Sequence, residues 1–193
     1  MQRDELSTTL PLRDGRMVRI RPLEADDTKI LGDFFCSLSE ETRSTYGPHP
    51  FNRETAAKLC DAVGDGRTVR FLAVLADDAP NAEIIAYMIL SREIWPDDLE
   101  RYGDTVPWET TACLAPVVAD AHQGQGLGST MGEHVLTSAR KLGISHVILM
   151  GGVLDVNPRA RHVYEKLGFR HVGSFWTGSG SKRRLNHNMV VQL

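Results

Sequence analysis

Hydrophobic and polar positions along the chain recur with two periods. Met17 to Pro22 (MVRIRP) alternates apolar and basic residues and ends in a proline, which predicts a half-buried edge strand. From Thr28 to Leu38 the apolar positions are Ile30, Leu31, Phe34, Phe35 and Leu38, a stripe at helical spacing. A short second helix is predicted over 39–46, stopped by Gly47-Pro48, and a third over 53–63 with Ala56, Ala57, Leu59, Cys60 and Val63 on one side. Two β-branched, apolar runs, 69–76 and 83–90, flank the loop 77–82 and predict an antiparallel hairpin. Residues 95–108 read as a polar loop with two prolines, and 110–118 as the next strand. Further strands are expected at 146–151 and 186–193, the latter able to pair across two copies as well as within one, which leaves a homodimer open.

Between the strand at 110–118 and the next helix lies the segment Gln123-Gly124-Gln125-Gly126-Leu127-Gly128-Ser129. Its glycines permit positive φ and let the backbone approach a ligand without a Cβ in the way. Leu127, Met131, Val135, Ala139 and Leu142 then recur every three or four residues, so a helix opens on the loop and ends near Gly143. Free N–H groups at the positive end of a helix dipole form a phosphate seat. The dinucleotide fingerprint is a poor match, with Ser129 where it needs glycine or alanine and no ribose-binding acid about 20 residues on. No triphosphate loop is present. Farther along, Asn157-Pro158 supplies a helix cap and a first-turn proline; Ala160, Val163, Tyr164 and Leu167 make a stripe closed by Gly168.

The 193 residues, 41% hydrophobic and 24% charged, suit one soluble domain over 1–193 with 1–15 as a loose tip. A net charge of −3 gives no field that would hold nucleic acid or an anionic membrane. Cys36, Cys60 and Cys113 form no disulfide framework or CxxC pair, which suits reduced thiols in the cytoplasm, and the scattered histidines show no metal spacing. The first residues lack a signal-peptide pattern, and no apolar run approaches the ~18 residues of a membrane span.

The loop Gln123 to Gly128, followed by Asn157, Tyr164 and Gly168-Phe169, resembles the GNAT superfamily of N-acetyltransferases, whose hallmark is a Q/R-x-x-G-x-G/A loop after the fourth strand. The resemblance covers Thr110 to about Phe175. It implies an α/β (α+β) fold, with a mixed, mainly antiparallel sheet, splayed central strands and flanking helices. It implies acetyl-CoA as cosubstrate, no metal, and direct attack by a primary amine of a small molecule or peptide. Val117, Val118 and Ala119 would bond the pantetheine arm, and Gln123, Gly124, Gln125, Gly126, Leu127, Gly128 and Ser129 the pyrophosphate. Asn157 would reach a pantetheine amide besides capping its helix. Tyr164 would protonate the departing thiolate, or else pack as a core aromatic. Many relatives carry a glutamate within the fourth strand, where this chain has none; Glu109 is the nearest candidate base, Glu93 the second, and a water relay competes with both. Cys113 reads as a small core residue. A binder of acyl-CoA without turnover is the alternative, and a nicotinamide oxidoreductase trails both.

Overall fold

The alternating segments assemble into one nine-stranded sheet in a computed structural model that describes residues 3–64, 66–75 and 82–193. β1 (Thr8–Pro11), β2 (Met17–Pro22), β3 (Thr68–Leu75), β4 (Glu83–Ser91) and β5 (Thr111–Val118) lie side by side, each antiparallel to the last. β5 then pairs in parallel with β6 (His146–Leu149). β7 (Val153–Leu154) and β8 (Arg170–Thr177) both pair with β9 (Arg184–Gln192), which also runs antiparallel to β6.

Two expectations change here. Residues 8–11 are not loose: they pair with β2 from Thr8↔Ile20 to Pro11↔Met17, which makes β2 an interior strand. Four residues are too few to show a period, and Pro22 is tolerated because it ends its strand. Likewise β9 has partners on both edges, β6 and β7 on one side and β8 on the other, so it offers no edge for pairing across subunits. The predicted hairpin is present as β3 and β4, while residues 77–81 of its loop lie outside the described residues.

The helices cover both faces. α1 (Thr28–Ser37), α2 (Glu40–Ser44) and α3 (Arg53–Asp61) sit over one, where Leu31, Phe35, Ala56 and Cys60 pack on Leu72, Tyr87, Ala115 and Val117. α4 (Pro96–Tyr102) falls in the stretch expected to be loop; it is seven residues long with Leu99 exposed, so no apolar stripe announces it. The buried Tyr102 hydroxyl donates to the Met189 carbonyl and accepts from its N–H, both at 3.0 Å, which docks α4 on β9. α5 (Leu127–Lys141) and α6 (Pro158–Lys166) cover the other face with Leu127, Met131, Val135 and Tyr164. Among the described residues, no helix is long and apolar enough to cross a membrane.

One irregularity positions the site. β5 and β6 pair only from Thr111↔His146 to Leu114↔Leu149, with a last bond from Met150 N–H to Leu114 O at 3.0 Å. Ala115 to Val118 stay paired with β4 alone, while the other chain turns away through Gly151 (φ 69°) and Gly152 (φ 73°). A Cβ on Gly152 would stand 2.9 Å from both the His187 carbonyl and the Phe175 ring, so glycine is required there. The turn is pinned by Asp98, fully buried on α4, which accepts from Gly151 N–H at 3.2 Å and pairs with Arg101.

Candidate active site at the strand splay

Which main-chain groups face the splay follows from strand alternation. Ala119 N–H donates to Ile85 O at 2.9 Å, so Val117 and Ala115 also turn their main-chain groups to β4. Leu114, Pro116 and Val118 turn theirs the other way, as the bonds from Met150 N–H to Leu114 O and from Gln123 Nε2 to Val118 O (3.1 Å) show. Of Val117, Val118 and Ala119, Val118 alone aims its main chain into the opening. Pro116 breaks no ladder bond, because its missing N–H would have pointed into the same gap.

The glycine loop crosses the end of this opening. Gly124 (φ 74°) and Gly126 (φ 87°) take left-handed conformations, and Gly126 caps α5 without a side-chain bond. Gln123 N–H is spent on Asp120 O and Ser129 N–H on Gly126 O, while Leu127 and Ser129 bury their side chains. The N–H groups of Gly124 to Gly128 have no hydrogen-bond partner among the described residues, a cluster of donors at a helix N-terminus. The Gln123 side chain is a brace: its amide nitrogen donates to Thr42 on α2 and to Val118 O, and its oxygen accepts from Arg159 on α6 at 3.1 Å. Two cations flank the loop. Besides Arg159, Arg13 in the β1–β2 turn lies with its guanidinium 3.4 Å from where a Cβ on Gly126 would be.

Tyr164 on α6 is 8% exposed and tilts against Phe169 at 5.5 Å. Burial alone pushes its phenol up, which keeps the proton on, and no hydrogen bond ties that hydroxyl to a described residue. Asn157 caps α6 through its side-chain oxygen, accepting from Ala160 N–H at 3.1 Å, and its amide nitrogen bonds no described residue. Cys113 donates to the carbonyls of Ser91 and Glu93; burial pushes its thiol up to about 12, so it stays protonated and is no nucleophile. Glu109 is exposed in the turn before β5, at the end of that strand opposite the splay. Glu93 is exposed beyond Ser91. From Glu93 the chain crosses over Cys113 toward the turn at Gly151, where Trp95 packs.

On the α1–α3 face the cleft meets an aromatic cluster. His49 Nδ1 lies 3.0 Å from the Pro50 carbonyl, which can only accept, so Nδ1 carries the proton. Nε2 then accepts from the Tyr87 hydroxyl at 3.2 Å, and the Arg70 cation of β3 lies nearby. Burial pushes the His49 imidazole below its usual range, and the nearby Arg70 cation adds to this. The unfolded chain takes that proton more readily, so stability is present above about pH 6.5 and is lost as pH falls through the lower folded value. His49→Gln is therefore expected to flatten the fall in Tm between pH 7.5 and pH 5.5. An undiminished fall would show that another group causes it. Facing His49 are Phe35, Tyr46, Phe51 and Tyr87, with Arg70 the charged neighbour.

A sequence model of the acetyltransferase (GNAT) family matches residues 34–169, which run from α1 across the splay and the glycine loop to the end of α6. The chain belongs to this family. Among curated relatives, it is 27% identical over 160 residues to a phosphinothricin N-acetyltransferase of Streptomyces coelicolor, covering 82% of this chain and 85% of that one. It is 30% identical over 110 residues to a streptothricin acetyltransferase of Streptomyces lavendulae, covering 56% of this chain. The match spans 47% of that relative's length. The solved GNAT domain of S. lividans PAT shares the fold with a TM-score of 0.75 at 24% identity over the whole of both chains. A spermidine N-acetyltransferase from Vibrio cholerae, in complex with CoA and spermine, superposes with a TM-score of 0.67 at 21% identity, covering 91% and 95% of the chains.

The GNAT motifs locate the loop and α6, and the structure brings both to the open edge of β5. What they do not reveal is the opposite wall. Tyr46 and His49 share the loop between α2 and α3, while Arg70 and Tyr87 come from β3 and β4, joined to it only by tertiary packing such as Leu72↔Tyr87. A lone arginine or tyrosine in a strand carries no motif.

Proposed function

We propose that this GNAT member transfers the acetyl group of acetyl-CoA to a primary amine of a small molecule or peptide. The observation that carries the reading is the run of five unspent N–H groups at 124–128, set at the mouth of a strand splay with a buried phenol beside it. Donors in that arrangement suit a diphosphate. The Val118 N–H and Pro116 carbonyl suit the amides of a pantetheine arm, with the Asn157 amide nitrogen as a further donor. Val117 spends its main chain on β4, and Ala119 gives its N–H to Ile85 O and its carbonyl to His122 N–H, so neither has a part in it.

Bound acetyl-CoA supplies the activated acyl carbon. The chain aligns the two reactants, which turns a bimolecular step into one close to unimolecular. Tyr164, kept protonated by burial, gives its proton to the sulfur as the C–S bond breaks. With Glu109 at the closed end of β5, removal of the amine proton falls to water relayed to solvent, with Glu93 the second candidate.

Arg13 adds a charge-assisted contact to the diphosphate. Arg13→Gln is expected to raise the CoA dissociation constant by about three- to tenfold, with a shallower salt dependence. An unchanged constant across salt concentrations would remove Arg13 from the site.

The direct test is release of free thiol from acetyl-CoA with a panel of amines. Amine-dependent release supports the reading. Stabilisation of the fold by CoA with no release on any amine would make the chain a CoA-binding module without turnover.

A further inference from the structure

Deep in the α1–α3 face lie two polar atoms that the protein leaves without partners. Tyr46 follows α2, and its buried hydroxyl has no hydrogen-bond partner among the described residues. The buried Nε of Arg70 has none either. The Tyr46 ring packs on His49, and His49 on Tyr87, so the Tyr46 orphan belongs to the aromatic cluster of this face, with the Arg70 cation within electrostatic reach. An open cavity of about 410 Å³ adjoins Tyr46, lined also by Arg43, His49 and Phe51.

What that space accepts follows from donors and charge. Arg70 forms no ion pair with a described carboxylate. Arg43 spends its guanidinium on the neutral carbonyls of Phe35, Leu38 and Phe51, so its charge is not balanced locally either. Arg184, from β9, reaches the Ser44 carbonyl on the same side. His49 is neutral, and its one free lone pair is taken by the Tyr87 hydroxyl. The unsatisfied groups are therefore donors, and the charges around them are positive. Burying such a set is costly unless an anion completes it. Guanidinium is suited to planar or tetrahedral oxyanions.

We propose that the amine accepted by this enzyme also carries an oxyanion, a carboxylate or a phosphorus oxyanion, which Arg70 and Tyr46 receive while its amino group faces Tyr164. This rests on the acyl-transfer reading of the cleft. The chemistry balances without a further reactant. The ammonium loses one proton to solvent, its lone pair forms the N–C bond as C–S breaks, and the sulfur takes the Tyr164 proton. The second nitrogen proton, shed by the new amide, restores the hydroxyl.

The test compares paired amines that differ in the oxyanion: leucine against isoamylamine, and 2-aminoethylphosphonate against ethylamine. Thiol release should favour the oxyanion member by about tenfold or more in kcat/KM, chiefly through KM. The preference should collapse in Arg70→Met and shrink in Tyr46→Phe, which serves if the arginine variant does not fold. The favoured pair distinguishes carboxylate from phosphorus oxyanion. A second readout is heat stabilisation of the CoA-loaded protein by leucine or 2-aminoethylphosphonate, expected in the wild type and absent in the variants. Turnover with no oxyanion preference, or a preference that survives both substitutions, overturns the proposal and leaves the acyl-transfer reading standing. Absence of thiol release on every amine overturns that reading instead, and the stabilisation readout still decides the anion site: a shift lost in the variants upholds it, and no shift overturns it.

Discussion

Replacing Tyr164 by phenylalanine is expected to lower kcat by roughly 10²-fold or more while the protein keeps its melting temperature. The two effects separate because the ring and the hydroxyl do different things. The ring packs in the core against Phe169, and phenylalanine preserves that contact. The hydroxyl makes no hydrogen bond with a described residue, so nothing structural is lost with it. Its raised pKa, caused by burial, makes it a proton donor that does not ionise at neutral pH. Steady-state thiol release and a thermal melt on the same preparation check this. Equal kcat at equal Tm would reduce Tyr164 to a core aromatic.

Asp98→Ala should produce the largest loss of stability. Desolvation outweighs the help from Gly151 N–H and Arg101, so the carboxyl sits above its usual range. A buried pair of this kind contributes little net stability, yet removing one member strands the other. Here it would leave Arg101 uncompensated and the Gly151 N–H without its acceptor. The expected cost is about 3–5 kcal/mol. For a chain of this size that corresponds to roughly 6–20 °C in Tm. Adding Arg101→Met should recover part of it, because the stranded charge is then gone. The effect reaches function, since Asp98 holds the turn at which β6 leaves β5. A Tm within a degree or two of wild type would show that other contacts hold that turn.

Much of this architecture could be read in the chain. Long amphipathic stripes such as Leu127 to Leu142 survive tertiary packing, and the glycine loop and α6 carry motifs whose residue types are set by local backbone needs. Short elements could not be read. Thr8–Pro11 and Pro96–Tyr102 hold too few residues for a period to emerge, although Pro96 followed by two aspartates is a helix-start signature that could have been used. Within the site the sequence marks the loop but not how its atoms are used: Gln123 braces three elements, and Val117 and Ala119 bond β4. Glu109 looked close to the chemistry because it begins the right strand. The splay is at that strand's other end, and only the register with β6 reveals it. The basic aromatic wall joins Tyr46 and His49, from the loop between α2 and α3, to Arg70 of β3, a pairing made only by tertiary packing.

Titration calorimetry of the folded wild-type chain with coenzyme A, repeated on a Gly126→Val variant, bears most directly on the anchoring of a diphosphate by main-chain donors at 124–128. The expected result is measurable heat and one-to-one binding for the wild type, with binding lost in the variant, where a branched side chain meets both Arg13 and a left-handed φ. Absence of heat with the wild type, or equal affinity in both proteins, would contradict it.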